Sequence, residues 1–143
     1  MKFMKGRYFL DTNFFVYLYS KDEVKKREKC YRIFQEFDQK SHVVISTQVI
    51  KEFAAVMIGK IKMDPLKVKS IIENLSEFEV IDTNVTLIKE AIDIQILNQL
   101  SFWDSLVISA AKSANCSVIL TENMNDGQVI DGVRIQSPFT LKV

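Results

Sequence analysis

Short runs of β-branched and aromatic residues alternate along this chain with longer stretches of helical periodicity. That alternation is what a parallel sheet fed by crossover helices requires. The expected strands are Arg7–Leu10 (RYFL), His42–Ser46 (HVVIS), Phe78–Asp82 (FEVID), Ser117–Thr121 (SVILT) and Val133–Gln136 (VRIQ). Helices are expected from near Asn13, across Glu23–Phe37, from Thr47 to about Ile58 and from Pro65 to about Leu75, then from Val85 to Leu97 and from Phe102 to about Ala114. One segment, VIDGVRI from Val129, has a second reading as a two-residue hairpin around Asp131 and Gly132. The fold class is therefore α/β, with a central, mainly parallel, five-stranded sheet.

At 143 residues, 48% of them apolar, the chain can bury a sizeable core as a single domain spanning 1–143. No repeat, low-complexity tract or linker divides it, and Gly59–Pro65 reads as a turn between helices. A formal net charge of +1 lacks the basic excess of a protein that coats nucleic acid or anionic lipid, and says nothing of local patches. Lys2, Lys5, Arg7 and Asp11 interrupt the N-terminal apolar residues before a secretory signal can form, and no stretch approaches a membrane span. Cys30 and Cys116 lack metal or redox spacing and read as small interior residues. A cytoplasmic setting is the expectation.

The stretch SFWDSLVISAA, Ser101–Ala111, carries a misplaced charge. On a helical wheel Leu106, Val107, Ile108, Ala110 and Ala111 fill one arc, and Ser105, Ser109, Lys112 and Ser113 the opposite one. Asp104 falls inside the apolar arc, where an unpaired carboxylate is costly. Helix capping is one explanation: with Ser101 as N-cap, Asp104 is the third helical residue of a capping-box-like start.

Two other acidic residues stand near element junctions. Asp11 ends the first strand and opens a helix; it suits an N-cap, and it also occupies the strand end at which α/β sheets bind ligands. Glu52 lies one turn into the helix after the second strand, at the margin of an arc made by Val49, Ile50, Phe53, Val56 and Met57. Two carboxylates about 4 Å apart repel by roughly 4 kcal/mol at an effective dielectric of 20, so three sharing a site call for a cation or a proton. A divalent ion is the economical answer.

Together FLDTNFFVYLY, ISTQVIKEF, LSFWDSLVISAA and ILTENMNDGQVIDGVRIQSPF resemble a PIN domain of the VapC-like toxin type, along nearly the whole chain. The resemblance implies a three-layer α/β/α sandwich, a cleft binding Mg²⁺ or Mn²⁺, and RNA cleavage. It further implies a homodimer inhibited by a small antitoxin protein. Asp11, Glu52 and Asp104 match the family's first three acidic positions. At the fourth the chain departs from the pattern: after the strand it reads Thr121, Glu122, Asn123, and asparagine offers an oxygen without a charge. Asp126 is the nearby compensating candidate, although Asp-Gly also suits a turn. Asn13 and Thr121 are carried over as residues that orient ligands or water.

Lys60, Lys62, Lys67 and Lys69 cluster around a turn, either as a solvated group or as contacts to RNA phosphates. Phe102 and Trp103 read first as core and second as stacking surfaces for a base. Competing with the nuclease is a catalytically silent PIN-like scaffold that binds RNA or a protein. A haloacid-dehalogenase-like phosphatase fits less well, since Asn13 stands where its second aspartate belongs.

Overall fold

The computed structural model describes residues 6–37 and 43–142. The order is β1 (Tyr8–Leu10), α1 (Thr12–Tyr19), α2 (Val24–Gln35), β2 (Val43–Ser46), α3 (Thr47–Gly59), α4 (Pro65–Leu75), β3 (Glu79–Ile81), α5 (Val85–Asn98), α6 (Phe102–Ser113), β4 (Val118–Leu120), β5 (Val129–Ile130) and β6 (Val133–Gln136). His42, expected to open the second strand, lies outside the described residues. Short polar side chains set the helix starts. Ser46, Asp64, Asn84 and Ser101 each accept a backbone N–H of the first turn of α3, α4, α5 and α6, and Pro65 opens α4.

The sheet has the order β3-β2-β1-β4-β6-β5, with every pair parallel except β5–β6. It has six strands rather than five, because both readings of VIDGVRI hold at once. Val133–Gln136 pairs with β4 as a parallel strand, while Asp131 and Gly132, with φ of +50° and +83°, turn it back on β5. Positive φ at both central residues matches the twist of a tight hairpin.

Chain direction across the sheet fixes the layers. From β1 through β2 to β3 the chain steps one way, and from β3 to β4 it reverses past β1. Right-handed crossovers then place α1 to α4 on one face and α5 and α6 on the other. Between them Phe9, Leu10, Ile45, Ile119, Leu120 and Ile135 are wholly buried. The same reversal makes the carboxyl ends of β1 and β4 a topological switch point, where such sheets open a crevice. No helix of the described residues is long and apolar enough to cross a membrane.

α6 corrects the wheel in two places. Ser105 and Ser109, assigned to a polar arc, are wholly buried, and Trp103, read first as core, is 61% exposed. The cause is tertiary: α6 packs on the sheet with one side and on α5 with another, so it has no continuous solvent face. The two hydroxyls tolerate burial by bonding to backbone: Ser105 Oγ donates to Ser101 O at 2.8 Å and Ser109 Oγ to Leu87 O at 2.9 Å. Ser109→Leu should therefore overpack the α5–α6 contact and cost about 1–3 kcal/mol in urea unfolding. Ser113→Leu, on the exposed part of the same helix, should stay within about 0.5 kcal/mol. Equal effects would contradict the sandwiched position of α6.

Candidate active site

Register brings the first groups together. Tyr8, Phe9 and Leu10 of β1 pair with Val118, Ile119 and Leu120 of β4, so the next step sets Asp11 level with Thr121. Asp11 N–H still donates to Leu120 O, at 3.2 Å, and the Thr121 hydroxyl donates to Asp11 Oδ2 at 2.9 Å. The other carboxylate oxygen accepts Thr12 N–H at 2.8 Å. Asp11 is thus both the N-cap of α1 and a carboxylate held at the sheet edge. The two roles share its two oxygens.

Crossover geometry delivers the other two acids. α3 leaves β2 and α6 runs back toward the start of β4, so both helices begin at the carboxyl edge of the sheet. Glu52 and Asp104 sit in the opening turns of these helices, and with Asp11 they line one cavity of about 150 Å³. Asn13, Gln48 and Asn123 complete its polar wall. The Thr12 hydroxyl donates to Glu52 Oε1 at 3.1 Å, and Asn13 Nδ2 reaches Asn123 Oδ1 at 3.4 Å. The Thr121 hydroxyl also accepts Asn123 N–H at 3.1 Å, tying the loop after β4 to the site.

Burial pushes the Asp11 carboxyl above the usual range, and the nearby Asp104 charge adds to the effect against the bonds from Thr12 and Thr121. Burial likewise raises Glu52, with Asp11 and Asp104 contributing, while the Thr12 hydroxyl opposes the shift. Among the described residues no three His, Cys, Asp or Glu side chains already enclose a metal position. The donor set still suits a hard cation: carboxylate and amide oxygens around a cleft with room for water, which Mg²⁺ retains when one or two carboxylates bind it.

Asp126 stands apart. Its carboxylate accepts Ser137 N–H and the Thr140 hydroxyl, each at 2.8 Å, and these bonds lower its pKa. It clamps the C-terminal loop and does not line the cavity. Glu122, beside Asn123, is also turned away, paired with Lys26 at 3.2 Å and bonded by the Tyr17 hydroxyl. Cys30 and Cys116 are buried thiols pushed up to about 12, in keeping with interior roles. Of the basic cluster, Lys60, Lys62 and Lys67 line a separate groove of about 510 Å³ with Lys21, and Lys69 does not.

Sequence reasoning passed over two residues. Thr12 anchors Glu52, which nothing in the local pattern announces. Gln48 lies one helical turn before Glu52, and that i,i+4 spacing was the available signal. Its side chain is buried, with Nε2 donating to Trp103 O at 3.2 Å and Oε1 left without a donor.

The PIN domain family model matches residues 8–125. No curated protein sequence is matched significantly. Among solved structures, the chain is similar to VapC20 of Mycobacterium tuberculosis, described as a sarcin-ricin loop cleaving toxin. They share 16% identity over 89% of this chain and 98% of that one, with a TM-score of 0.68. A toxin-antitoxin complex from Klebsiella pneumoniae matches at 19% identity, covering 93% of this chain and 98% of that one, with a TM-score of 0.67. VapBC-1 from nontypeable Haemophilus influenzae matches at 21% identity over 93% and 98%, also at 0.67. With the strand-end aspartate, the switch-point cleft and a family match from β1 past β4, the chain belongs to the PIN domain family.

Proposed function

We propose that this protein is a metal-dependent endoribonuclease that hydrolyses RNA phosphodiester bonds, and that it serves as the toxin of a toxin-antitoxin pair. The observation that carries the reading is the convergence of Asp11, Glu52 and Asp104 on one cavity at the switch point. These three residues, with Asn123 as a neutral oxygen donor, would hold Mg²⁺ or Mn²⁺; Asp126 has no part in it. Such an ion, when bound, neutralises phosphate charge and acidifies a water for in-line attack. The chain's own contribution is orientation. Thr121 and Thr12 N–H fix both oxygens of Asp11, the Thr12 hydroxyl fixes Glu52, and the Asn13–Asn123 pair bounds the opening.

Lys60 lies eight residues beyond Glu52 on α3 and its cap, about 12 Å along the helix axis. The groove that holds Lys21, Lys60, Lys62 and Lys67, together with Asp22 and Asp64, would meet the RNA backbone beyond the cleft. A small antitoxin protein, as in the toxin-antitoxin complex that this fold matches, would set a cationic side chain against the three carboxylates. Exposed Ile92, Ile96 and Leu97 on α5 supply an apolar face for a homodimer. A second reading, a silent PIN scaffold, is favoured by the uncharged Asn123.

Cleavage of single-stranded RNA with Mn²⁺ separates the two. Asp11→Asn and Asp104→Asn should each lose at least about 100-fold in rate with circular dichroism unchanged, and Thr121→Val about 10–100-fold, the scale of outer-sphere losses. Full activity in the aspartate variants would place the chemistry elsewhere.

The raised carboxyls add a pH signature. Folding favours their protonated form, so the stability they contribute to the metal-free protein is present at low pH and lost as pH rises through their raised values. Asp11→Asn keeps the N-cap acceptor, so without metal it should melt above the parent protein near neutral pH and converge with it in acid. Mn²⁺ should raise the melting temperature of the parent alone, and by less as the pH falls through the raised carboxyl values and protons compete. A metal-free variant that melts lower than the parent at neutral pH would refute the charge crowding.

A further inference from the structure

The loop after β4 sends two consecutive side chains in different directions. Asn123 lines the acidic cavity, and Glu122 is turned away from it toward α1 and α2. Asn123 has a weak hold of its own: it is exposed, and the bond that its side chain accepts from Asn13 Nδ2 spans 3.4 Å, long for an amide contact. Glu122 is held far better. The Tyr17 hydroxyl donates to Glu122 Oε1, while Lys26 Nζ donates to Glu122 Oε2 at 3.2 Å and to the Tyr17 oxygen at 3.3 Å. Three side chains from α1, α2 and the loop thus close a ring of polar contacts. Phe139 walls it, with its ring edge-on to Tyr17 at 5.5 Å and 78°, and the Lys26 ammonium lies 5.1 Å from the centroids of both rings. An exposed ion pair by itself contributes little, but a closed network beside two rings is stronger than its separate pairs.

Asn13 and Tyr17 stand one turn apart on α1, so a single helix face meets Asn123 with the first and Glu122 with the second. Asp11 caps the same helix, which gives the strand-end carboxylate and the loop a common frame. The chemistry of the cleft requires such a device. A carboxylate at the fourth position would be drawn to a cation by its own charge, whereas the neutral amide of Asn123 has only a dipole and must be placed. Glu122, one residue away and fully charged, would compete for that place if it were free. We propose that Tyr17 and Lys26 are positioning residues for the cleft: they clasp Glu122 outward and so hold Asn123 with its amide oxygen toward the three carboxylates. Neither touches ion or substrate; both act through Asn123. The proposal rests on the metal-dependent nuclease reading and names what sets the fourth position of that same site.

Tyr17→Phe removes one hydroxyl and Lys26→Met one charge, each with most of the side chain kept, while Lys26→Arg keeps the charge. The first readout needs no metal. In the full chain with chelator, solvent exchange of the Asn123 backbone amide, bonded in the parent to the Thr121 hydroxyl, is followed by NMR. It should quicken about tenfold in Tyr17→Phe and Lys26→Met, the scale of one lost hydrogen bond, and stay near the parent rate in Lys26→Arg. The second readout is Mn²⁺ affinity by calorimetry. Tyr17→Phe should weaken binding about tenfold, the lower end of losses for groups that orient ligands, and should weaken it no further once Asn123→Ala is present. Unmoved Asn123 exchange in both variants overturns the proposal. Equal Mn²⁺ losses with and without Asn123 also overturn it, because Tyr17 would then act on the fold at large. The two readings fail separately. A parent that binds no Mn²⁺ refutes the metal reading, while faster Asn123 exchange in the two variants still upholds the clasp; Mn²⁺ binding with unmoved exchange removes the clasp alone.

Discussion

The bond from the Thr121 hydroxyl to Asp11 Oδ2 joins the two strand ends on which the site depends. A carboxylate buried to this degree is costly unless its oxygens are occupied, and hydrogen bonds to a charged group contribute about 1.5–3 kcal/mol each. Here one oxygen is held by β4 and the other by the first turn of α1. The same Thr121 oxygen accepts Asn123 N–H, so the loop after β4 takes its course from that residue. Sheet register, helix start and loop path are thereby coupled at a single carboxylate.

Charge crowding is the second constraint. Burial raises Asp11 and Glu52, and the neighbouring acids push both further. The fold keeps them open to a shared cavity, and among the described residues neither pairs with a lysine or arginine, whereas Glu122 is paired with Lys26 and Asp126 is held by loop donors. Acids left near one another without a counter-cation cost stability and give affinity for a cation in return. The neutral Asn123 lowers the charge at the fourth position and meets Asn13 by an amide contact instead.

α6 supplies two walls with different chemistry. Asp104 faces the acidic cavity, and Trp103, the residue before it, borders both that cavity and a second recess that it lines with Phe102 and Leu106. Gln48 from α3 ties the start of α3 to the start of α6 through Trp103 O. A helix enclosed by sheet and by α5 has little freedom to shift, so the two side chains keep their relative places.

Local pattern was enough for the helices, for five of the strands and for the caps at Asp11 and Ser101, because periodicity and capping chemistry act within a few residues. It was also enough to single out Asp104, since a carboxylate in an apolar arc is anomalous wherever the helix packs. What a wheel cannot contain is the second neighbour of a helix, so the burial of Ser105 and Ser109 and the exposure of Trp103 appeared only when α5 and the sheet were in place. Whether Asp104 shares an edge with Asp11 depended on the reversal of chain direction between β3 and β4, a property of strand order. Asp126 and Asn123, equally plausible as oxygen donors in the linear chain, were separated by loop hydrogen bonds to Ser137 and Thr140. The sequence by itself determined which groups carry charge and where helices begin; tertiary structure decided which of them meet, because register and crossover handedness act between residues far apart along the chain.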